Sequence, residues 1–149
     1  VENCPLSNVV RVRSSGVSFS SPFTVTCPML VAWVMFEQQQ LQPLALEHLG
    51  AEVSRVDHFG SFACRNVAGS ARRSAHARAE AIDVAAFVLA DGRRISVQSG
   101  WNASRDEREF LRVIHRSACK RFGTVLGPDY NRAHEDHFHL EYGSGNYCR

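Results

Sequence analysis

The sequence predicts an α+β fold in a single domain, with a central antiparallel sheet and helices packed against it. Segments of strand-like alternation and of helical spacing follow one another without the regular strand–helix order that builds a parallel sheet. The chain has 149 residues, of which 44% are hydrophobic, and this is typical of one domain with a substantial core. No repeat or linker divides it, so we treat residues 1–149 as one domain.

The first fifty residues predict a hairpin and a helix. Residues 9–19 alternate loosely between apolar and polar side chains, and Ser20-Ser21-Pro22 follows as a turn signal. Pro28 suits the first turn of a helix whose apolar residues continue at helical spacing. Pro43 should break or restart this helix, and Gly50 lies where a C-terminal cap belongs.

The middle of the chain predicts three strands and a long loop. Residues 53–63 alternate again and predict a strand, whereas residues 66–79 are rich in Gly, Ser, Ala and Arg and predict a loop. Residues 81–89 and 94–98 predict two strands on either side of Asp91-Gly92. This pair favours a hairpin because it tolerates the positive φ angles of tight turns.

The last third predicts an amphipathic helix and a final strand. Ser104-Arg105-Asp106-Glu107 has the pattern of a capping box, and Gly123 is placed to close the helix. The apolar stripe of this helix consists of Phe110, Leu111, Ile114, Ala118, Cys119 and Phe122. Residues 127–129 predict a turn, and residues 137–142 predict the last strand.

The composition argues against nucleic-acid binding and against a membrane span. A formal net charge of +2 is too small for the several phosphate contacts that nucleic-acid affinity needs. No apolar segment approaches the roughly 20 residues that cross a bilayer, so we expect no transmembrane segment.

The five cysteines are widely spread and include no CxxC pair, which argues against a zinc ribbon. They allow at most two disulfides and one odd thiol, and such spacing in a small domain favours an oxidising compartment. Buried reduced cysteines are the alternative.

The densest group of titratable residues is AHEDHFHLEY, residues 133–142. Alternate residues of a strand share a face, so His137, His139 and Glu141 should point to one side. The intervening residues Phe138, Leu140 and Tyr142 should point to the core. An HxH pair is a weak signal of a metal site by itself, and a solvated polar edge is the alternative.

A second group of polar residues lies upstream of this strand. His76 lies in the predicted loop, and Asp83 begins the most apolar segment of the chain. A carboxylate set against such a segment is costly to bury, and binding a cation offsets that cost. Pairing with an arginine is the alternative. Together, His76, Asp83 and His139 offer two imidazoles and one carboxylate, and three protein ligands with a fourth position open are typical of a catalytic zinc site.

These residues resemble a known signature. Ser74-x-His76-x-x-Ala79-x-Ala81-x-Asp83 is similar to the SxHxxGxAxD motif of the LAS metallopeptidases, which include lysostaphin-type and D-Ala-D-Ala peptidases and the hedgehog domains. Ala79 departs from the motif, which usually has glycine there. His137-Phe138-His139 resembles the HxH element of the group. The chain resembles the bacterial extensin-like C-terminal domain family more closely, and this resemblance covers nearly the whole chain. The motifs that carry it are Cys64-Arg65, SAHARAEAIDVAAF, LADGRRISV, the Cys119 helix, TVLGPDYN, HEDHFHLEY and a cysteine near the end.

The resemblance implies a LAS/hedgehog-like peptidase fold and one Zn²⁺ held by His76, Asp83 and His139. It leaves two alternatives for the general base. The D-Ala-D-Ala branch implies Asp136, three residues before the last ligand. The lysostaphin-like and murein endopeptidase branches imply His137.

Other positions also acquire expected roles from the resemblance. His134 matches a further active-site histidine of the murein endopeptidases, with a loop histidine near the site as the alternative. Arg65 is expected to stabilise the oxyanion, with a salt bridge as the alternative. Capping a turn is expected of Ser74, with orienting the His76 loop or the substrate as the alternative. Glu135 and Glu141 are expected at the surface, with a hydrogen bond to a ligand histidine as the lesser alternative.

The implied activity is that of a monomeric periplasmic or extracellular peptidase, which hydrolyses an amide bond in peptidoglycan stem peptides or cross-links. In this setting we expect Cys64 to pair with Cys119. A non-catalytic cell-wall-binding or signalling module that retains the fold and metal is the alternative, since fold alone does not imply activity. The presence of both Asp136 and His137 favours the enzyme. With only five prolines, the chain does not resemble a structural wall protein.

Overall fold

The computed structural model describes residues 4–149 as a single α+β domain. Within these residues, eight strands form one sheet in the order β1-β2-β3-β4-β7-β6-β8, with β5 also paired to β4. The strands are β1 (Val9–Ser14), β2 (Ser18–Thr26), β3 (Val53–His58), β4 (Ala81–Leu89), β5 (Arg94–Ser96), β6 (Thr124–Leu126), β7 (Phe138–Glu141) and β8 (Tyr147–Cys148). The α+β class and the single domain are therefore confirmed for the described residues.

The sheet is mixed, whereas the sequence predicted an antiparallel one. β2 pairs with β3 in parallel, and β6 pairs with β8 in parallel, while the other pairs are antiparallel. The short strands β6 and β8 were not predicted, because two or three residues cannot display a period of two. β7, which corresponds to the strand predicted at residues 137–142, is also shorter than predicted, and Tyr142 beyond it is 39% exposed instead of facing the core.

The prediction of a turn at Ser20-Ser21-Pro22 is also wrong. The chain reverses at Ser15–Val17, where the amide of Ser15 donates to the carbonyl of Val17, and β2 then continues through Pro22. The register of the β1–β2 pair shifts between Val12 and Ser14, and Pro22 lies in this irregular stretch of the pair. A bulged stretch tolerates proline because it demands no ladder hydrogen bond from the imide nitrogen.

One long helical segment crosses the core, as α1 (Cys27–Phe36), a π-helical turn (Glu37–Leu41) and α2 (Gln42–Leu49). Pro43 restarts the helix rather than ending it, because it lies in the first turn of α2, where its missing N–H costs little. The buried Glu37 accepts hydrogen bonds from the indole of Trp33, at 3.0 Å, and from the Ser15 hydroxyl. Gly50 ends α2 at φ 72°, as predicted.

The remaining helices are the short α3 (Val97–Gly100) and the amphipathic α4 (Arg105–Ala118). Ser104 lies at the N-cap of α4 as predicted, although its side chain makes no capping hydrogen bond. Gly123 does not close this helix, which ends at Ala118. A Cβ at Gly123 would lie 2.6 Å from the backbone carbon of Gly143, so glycine is needed for the close approach of two chain segments.

The strands and helices share one apolar core, and this leaves one side of β4 and β7 for polar groups. Ile82 and Val84 of β4 and Phe138 and Leu140 of β7 are at most 2% exposed and belong to the core. Since side chains alternate along a strand, the residues between these four lie on the opposite face of the sheet.

Two disulfides are present, Cys4–Cys64 and Cys119–Cys148, and Cys27 is free. The count of two bridges and one odd thiol is confirmed, but the expected pair Cys64–Cys119 is wrong. Cys119 caps the C-terminal end of α4 next to β8, which carries Cys148, whereas Cys64 meets the N-terminal segment. Such pairings depend on three-dimensional proximity that no sequence spacing reveals.

Removing the second bridge should destabilise the domain. The Cys119–Cys148 bridge joins residues separated by 29 positions, so we expect the double substitution Cys119→Ser/Cys148→Ser to lower the free energy of unfolding by about 2–4 kcal/mol. Urea denaturation followed by circular dichroism measures this difference. Cys27→Ser is the matched control and should leave the midpoint nearly unchanged; an unchanged midpoint in the double variant would contradict the prediction.

Within residues 4–149, no helix combines the length and the apolar character needed to cross a membrane.

Candidate metal centre

The register of two neighbouring strands brings the carboxylate and one imidazole together. Asp83 of β4 lies directly opposite His139 of β7 in the antiparallel ladder, and directly opposite residues on one face of a sheet have their side chains in contact. The Nδ1 atom of His139 is 3.1 Å from Oδ1 of Asp83. Asp83 and His139, which are 56 positions apart in the sequence, thus form one cross-strand pair.

The second imidazole comes from the loop that precedes β4. This loop contains a 3₁₀ turn, Ala75–Arg78, which Ser74 caps by accepting a hydrogen bond from the amide of His76 at 3.2 Å. The capping role predicted for Ser74 is confirmed. The turn places Nε2 of His76 at 3.2 Å from the same Oδ1 of Asp83.

The turn ends at Ala79, which adopts the left-handed conformation with φ 56° and ψ 34°. Glycine adopts this conformation without steric cost, which explains why a glycine suits this position of the motif. Ala79 is fully buried, and its carbonyl accepts a hydrogen bond from the amide of Thr26. Ala79 therefore adopts the backbone geometry that the turn requires, although the motif usually has glycine there.

Hydrogen bonds on the outer nitrogen of each imidazole turn the inner nitrogen toward Asp83. Nδ1–H of His76 donates to the carbonyl of Ser61 at 2.6 Å, and Nε2–H of His139 donates to Oε1 of Glu141 at 2.9 Å. Metal-ligating histidines are oriented in this way, because the outer bond leaves the other nitrogen's lone pair directed at the ion.

The structure gives a direct test of whether a metal fits. Among residues 4–149, the buried side-chain nitrogen or oxygen that makes no hydrogen bond of good geometry is Nε2 of His76, although it lies 3.2 Å from Oδ1 of Asp83 in a residue that is 3% exposed. A buried polar atom is rarely left unpaired unless something binds it. His76, Asp83 and His139, called the His–Asp–His cluster below, offer ligand atoms within 4.8 Å of one another. This donor set and the unpaired nitrogen fit a divalent metal ion.

The charges of the cluster are strongly coupled. Burial would raise the pKa of Asp83, but the neighbouring His139 and His76 outweigh burial and hold the pKa well below its usual range. Burial would likewise lower the pKa of His139, but the hydrogen bonds with Asp83 and Glu141 raise it to about 9. The cluster therefore holds a carboxylate with a cationic imidazole when no metal is bound.

The two candidates for the general base contact each other. Nδ1 of His137 is 2.8 Å from Oδ1 of Asp136, while its Nε2 faces the cluster at 3.7 Å from Oδ1 of Asp83. The exposed Phe59 packs edge-on against the His137 ring, with 5.9 Å between centroids. Asp136 therefore lies behind His137, and the imidazole is the group nearer to the cluster.

His134 lies beside His137 and His139, with ring centroids 5.0 and 6.2 Å away. Its Nδ1 is 2.6 Å from the amide oxygen of Asn131. Burial, together with the nearby His137 and His139, lowers the pKa of His134 to about 4. His134 is therefore a neutral imidazole at neutral pH, next to the cluster.

The side-chain hydrogen bond of Arg65 is made outside the cluster. Its exposed side chain donates a long hydrogen bond of 3.5 Å to the carbonyl of Asn66, although its own carbonyl accepts from the amide of Ser74 at 3.0 Å. Its role toward an oxyanion stays a prediction. The arginines with an electrostatic effect on this part of the site are Arg78 and Arg72, which contribute to lowering the pKa of Glu141.

Sequence reasoning underestimated two residues of the site. Glu141 is half-buried against His139 and is not a simple surface residue, whereas Glu135 is exposed as expected. Ser61 acts through its backbone carbonyl, which no side-chain pattern reveals. A signal for Glu141 was present in the sequence, because residues two apart on a strand, such as His139 and Glu141, share a face.

A second group of potential ligands lies at His115, Cys119 and Cys148. The two sulfur atoms are joined in a disulfide, so they are not thiolate ligands.

Comparison with known families agrees with the resemblance to the extensin-like C-terminal domain family. The model of the extensin-like protein C-terminus matches residues 1–149, the whole chain. The chain belongs to this family. No curated protein and no solved structure shows a significant match to this extensin-like domain. The family description states no activity, so the function of the extensin-like domain has to be argued from the His–Asp–His cluster and its surroundings.

Proposed function

We propose that this extensin-like domain is a zinc-dependent peptidoglycan peptidase of the LAS type. The observation that carries the proposal is the convergence of Nε2 of His76 and Nδ1 of His139 on one oxygen of Asp83, at 3.2 and 3.1 Å, with both imidazoles held from behind. Two imidazoles and one carboxylate are the ligands of a catalytic zinc rather than of a closed structural site.

A zinc ion held by these three residues would lower the pKa of a bound water toward roughly 7 and polarise a carbonyl group. The other steps belong to side chains of this chain. His137 is oriented by Asp136 and presents Nε2 to the cluster, so it is placed to accept a proton from the attacking water and to pass one to the leaving amine. Asp136 stabilises the protonated imidazole, as a carboxylate does behind a catalytic histidine.

In this mechanism Asp136 acts through His137, so the two residues do not compete for one role. His134, neutral beside His137, is placed to hydrogen-bond a substrate group without adding charge. The disulfides favour an oxidising compartment, which the bacterial periplasm and the cell exterior provide along with peptidoglycan.

Two measurements on the purified protein test the proposal. Metal analysis should find about one zinc per chain, and incubation with purified sacculi followed by mass spectrometry of the muropeptides should show a cleaved stem-peptide or cross-link amide. Protein stripped with a chelator is the matched control and should regain activity when zinc is returned. Zinc-loaded protein that leaves every amide intact would instead support a non-catalytic wall-binding or signalling module.

A further inference from the structure

We infer that Glu141 is a positioning residue, which fixes the His139 ring so that Nδ1, rather than a ring carbon, faces the metal. This inference rests on the proposed function, because it assigns to Glu141 a role in holding the zinc ligand.

The spacing along β7 provides the first support. His139 and Glu141 are two residues apart on one strand, so their side chains leave the same face of the sheet. Oε1 of Glu141 accepts a hydrogen bond from Nε2–H of His139 at 2.9 Å. The interaction follows from the strand geometry and needs no loop to maintain it.

The His139 ring separates Glu141 from the metal position. Its Nδ1 is 3.1 Å from Asp83, and its Nε2 is 2.9 Å from Glu141. The two nitrogens of an imidazole point in different directions, so Glu141 does not reach a metal that Nδ1 binds. Glu141 therefore acts through His139.

The need for such a partner follows from the shape of the histidine side chain. The terminal torsion of histidine is roughly two-fold, so a rotation of about 180° places a carbon where Nδ1 was, with little difference in packing. Glu141 favours one of these two orientations, because only that orientation brings Nε2–H to its carboxylate. The His76 ring is oriented in the same way, by its hydrogen bond to the Ser61 carbonyl.

The surroundings of Glu141 suit this role. Its side chain is 29% exposed, and the peptide groups on either side are held in the sheet, where Glu141 lies opposite both Ala81 and Thr124. Its carbonyl accepts the amide of Gly123 at 2.9 Å. The backbone position is thus fixed by two neighbouring strands, and a substitution of the side chain leaves these bonds in place.

Two substitutions of equal length separate positioning from packing. Glu141→Gln keeps an oxygen that accepts from Nε2–H, whereas Glu141→Met fills the same space without an acceptor. Zinc affinity, measured in the full chain by competition with a chromophoric chelator, should fall by about 10–100-fold in Glu141→Met and should be largely retained in Glu141→Gln. Glu135→Met, a substitution of an exposed glutamate in the same region, is the control and should bind zinc as the wild type does.

The outcomes separate this inference from the proposed function. Equal zinc affinity in the wild type and Glu141→Met would overturn the inference alone, and so would an equal loss in both Glu141 variants. If the zinc affinities of the wild type and the variants follow the expected order but the wild type cleaves no muropeptide, the inference stands and the peptidase proposal fails. A wild type that binds no zinc would overturn both.

Discussion

Replacing Asp83 with asparagine should remove the stabilisation that zinc gives to the folded protein. Oδ1 of Asp83 is the atom on which the cluster converges, 3.2 Å from Nε2 of His76 and 3.1 Å from Nδ1 of His139. An amide oxygen carries no charge to offset the dication and is a much weaker zinc ligand. A ligand at 100 times its dissociation constant adds about 2.7 kcal/mol to the free energy of unfolding, and we expect this increment to be near zero in Asp83→Asn.

The comparison must be made within each variant, with and without zinc. Asp83 also interacts with two imidazoles in the metal-free protein, so Asp83→Asn changes the baseline stability as well. The zinc-dependent increment in the thermal or urea unfolding transition isolates the effect on the metal site. Asp57→Asn is a matched control, because Asp57 is an ion-paired carboxylate of the same sheet, bound to Arg55 and Arg94. An undiminished zinc increment in Asp83→Asn would rule out the ligand assignment.

Replacing His137 with alanine should abolish most of the hydrolysis while zinc remains bound. Nε2 of His137 lies 3.7 Å from Asp83, and His137 does not belong to the three ligands. General acid–base catalysis by a positioned side chain contributes about 10²–10⁴-fold to a rate, so a loss of this size in kcat is expected on a defined muropeptide. The zinc content of the variant should equal that of the wild type.

The role of Asp136 follows from the same contact and has its own signature. If Asp136 acts by holding His137, Asp136→Asn should reduce kcat in the wild-type background and have little further effect in His137→Ala, because residues that act as a unit are not additive. Additive losses would instead indicate that Asp136 moves a proton independently. His48→Ala serves as the control, since His48 lies in the last turn of α2 and takes no part in the site.

The three residues of the His–Asp–His cluster could be predicted from the sequence. Asp83 stands out as a carboxylate in an apolar strand, and the alternation in β7 places His139 opposite in direction to the buried Phe138 and Leu140. Several local features of the fold could also be predicted, because they depend on neighbouring residues, whereas the turn at Pro22 and the helix end at Gly123 were predicted wrongly. Gly50 at the end of α2 and the Asp91-Gly92 hairpin are examples of the correct predictions.

Only the tertiary structure decided how these parts meet. The register that sets Asp83 opposite His139, the carbonyl of Ser61 behind His76, the parallel strand pairs and the two disulfides all join residues that are distant in the chain. A side-chain pattern states what each residue offers and which way it faces along its own strand. It does not state the neighbouring strand or its register, because these result from packing the whole core.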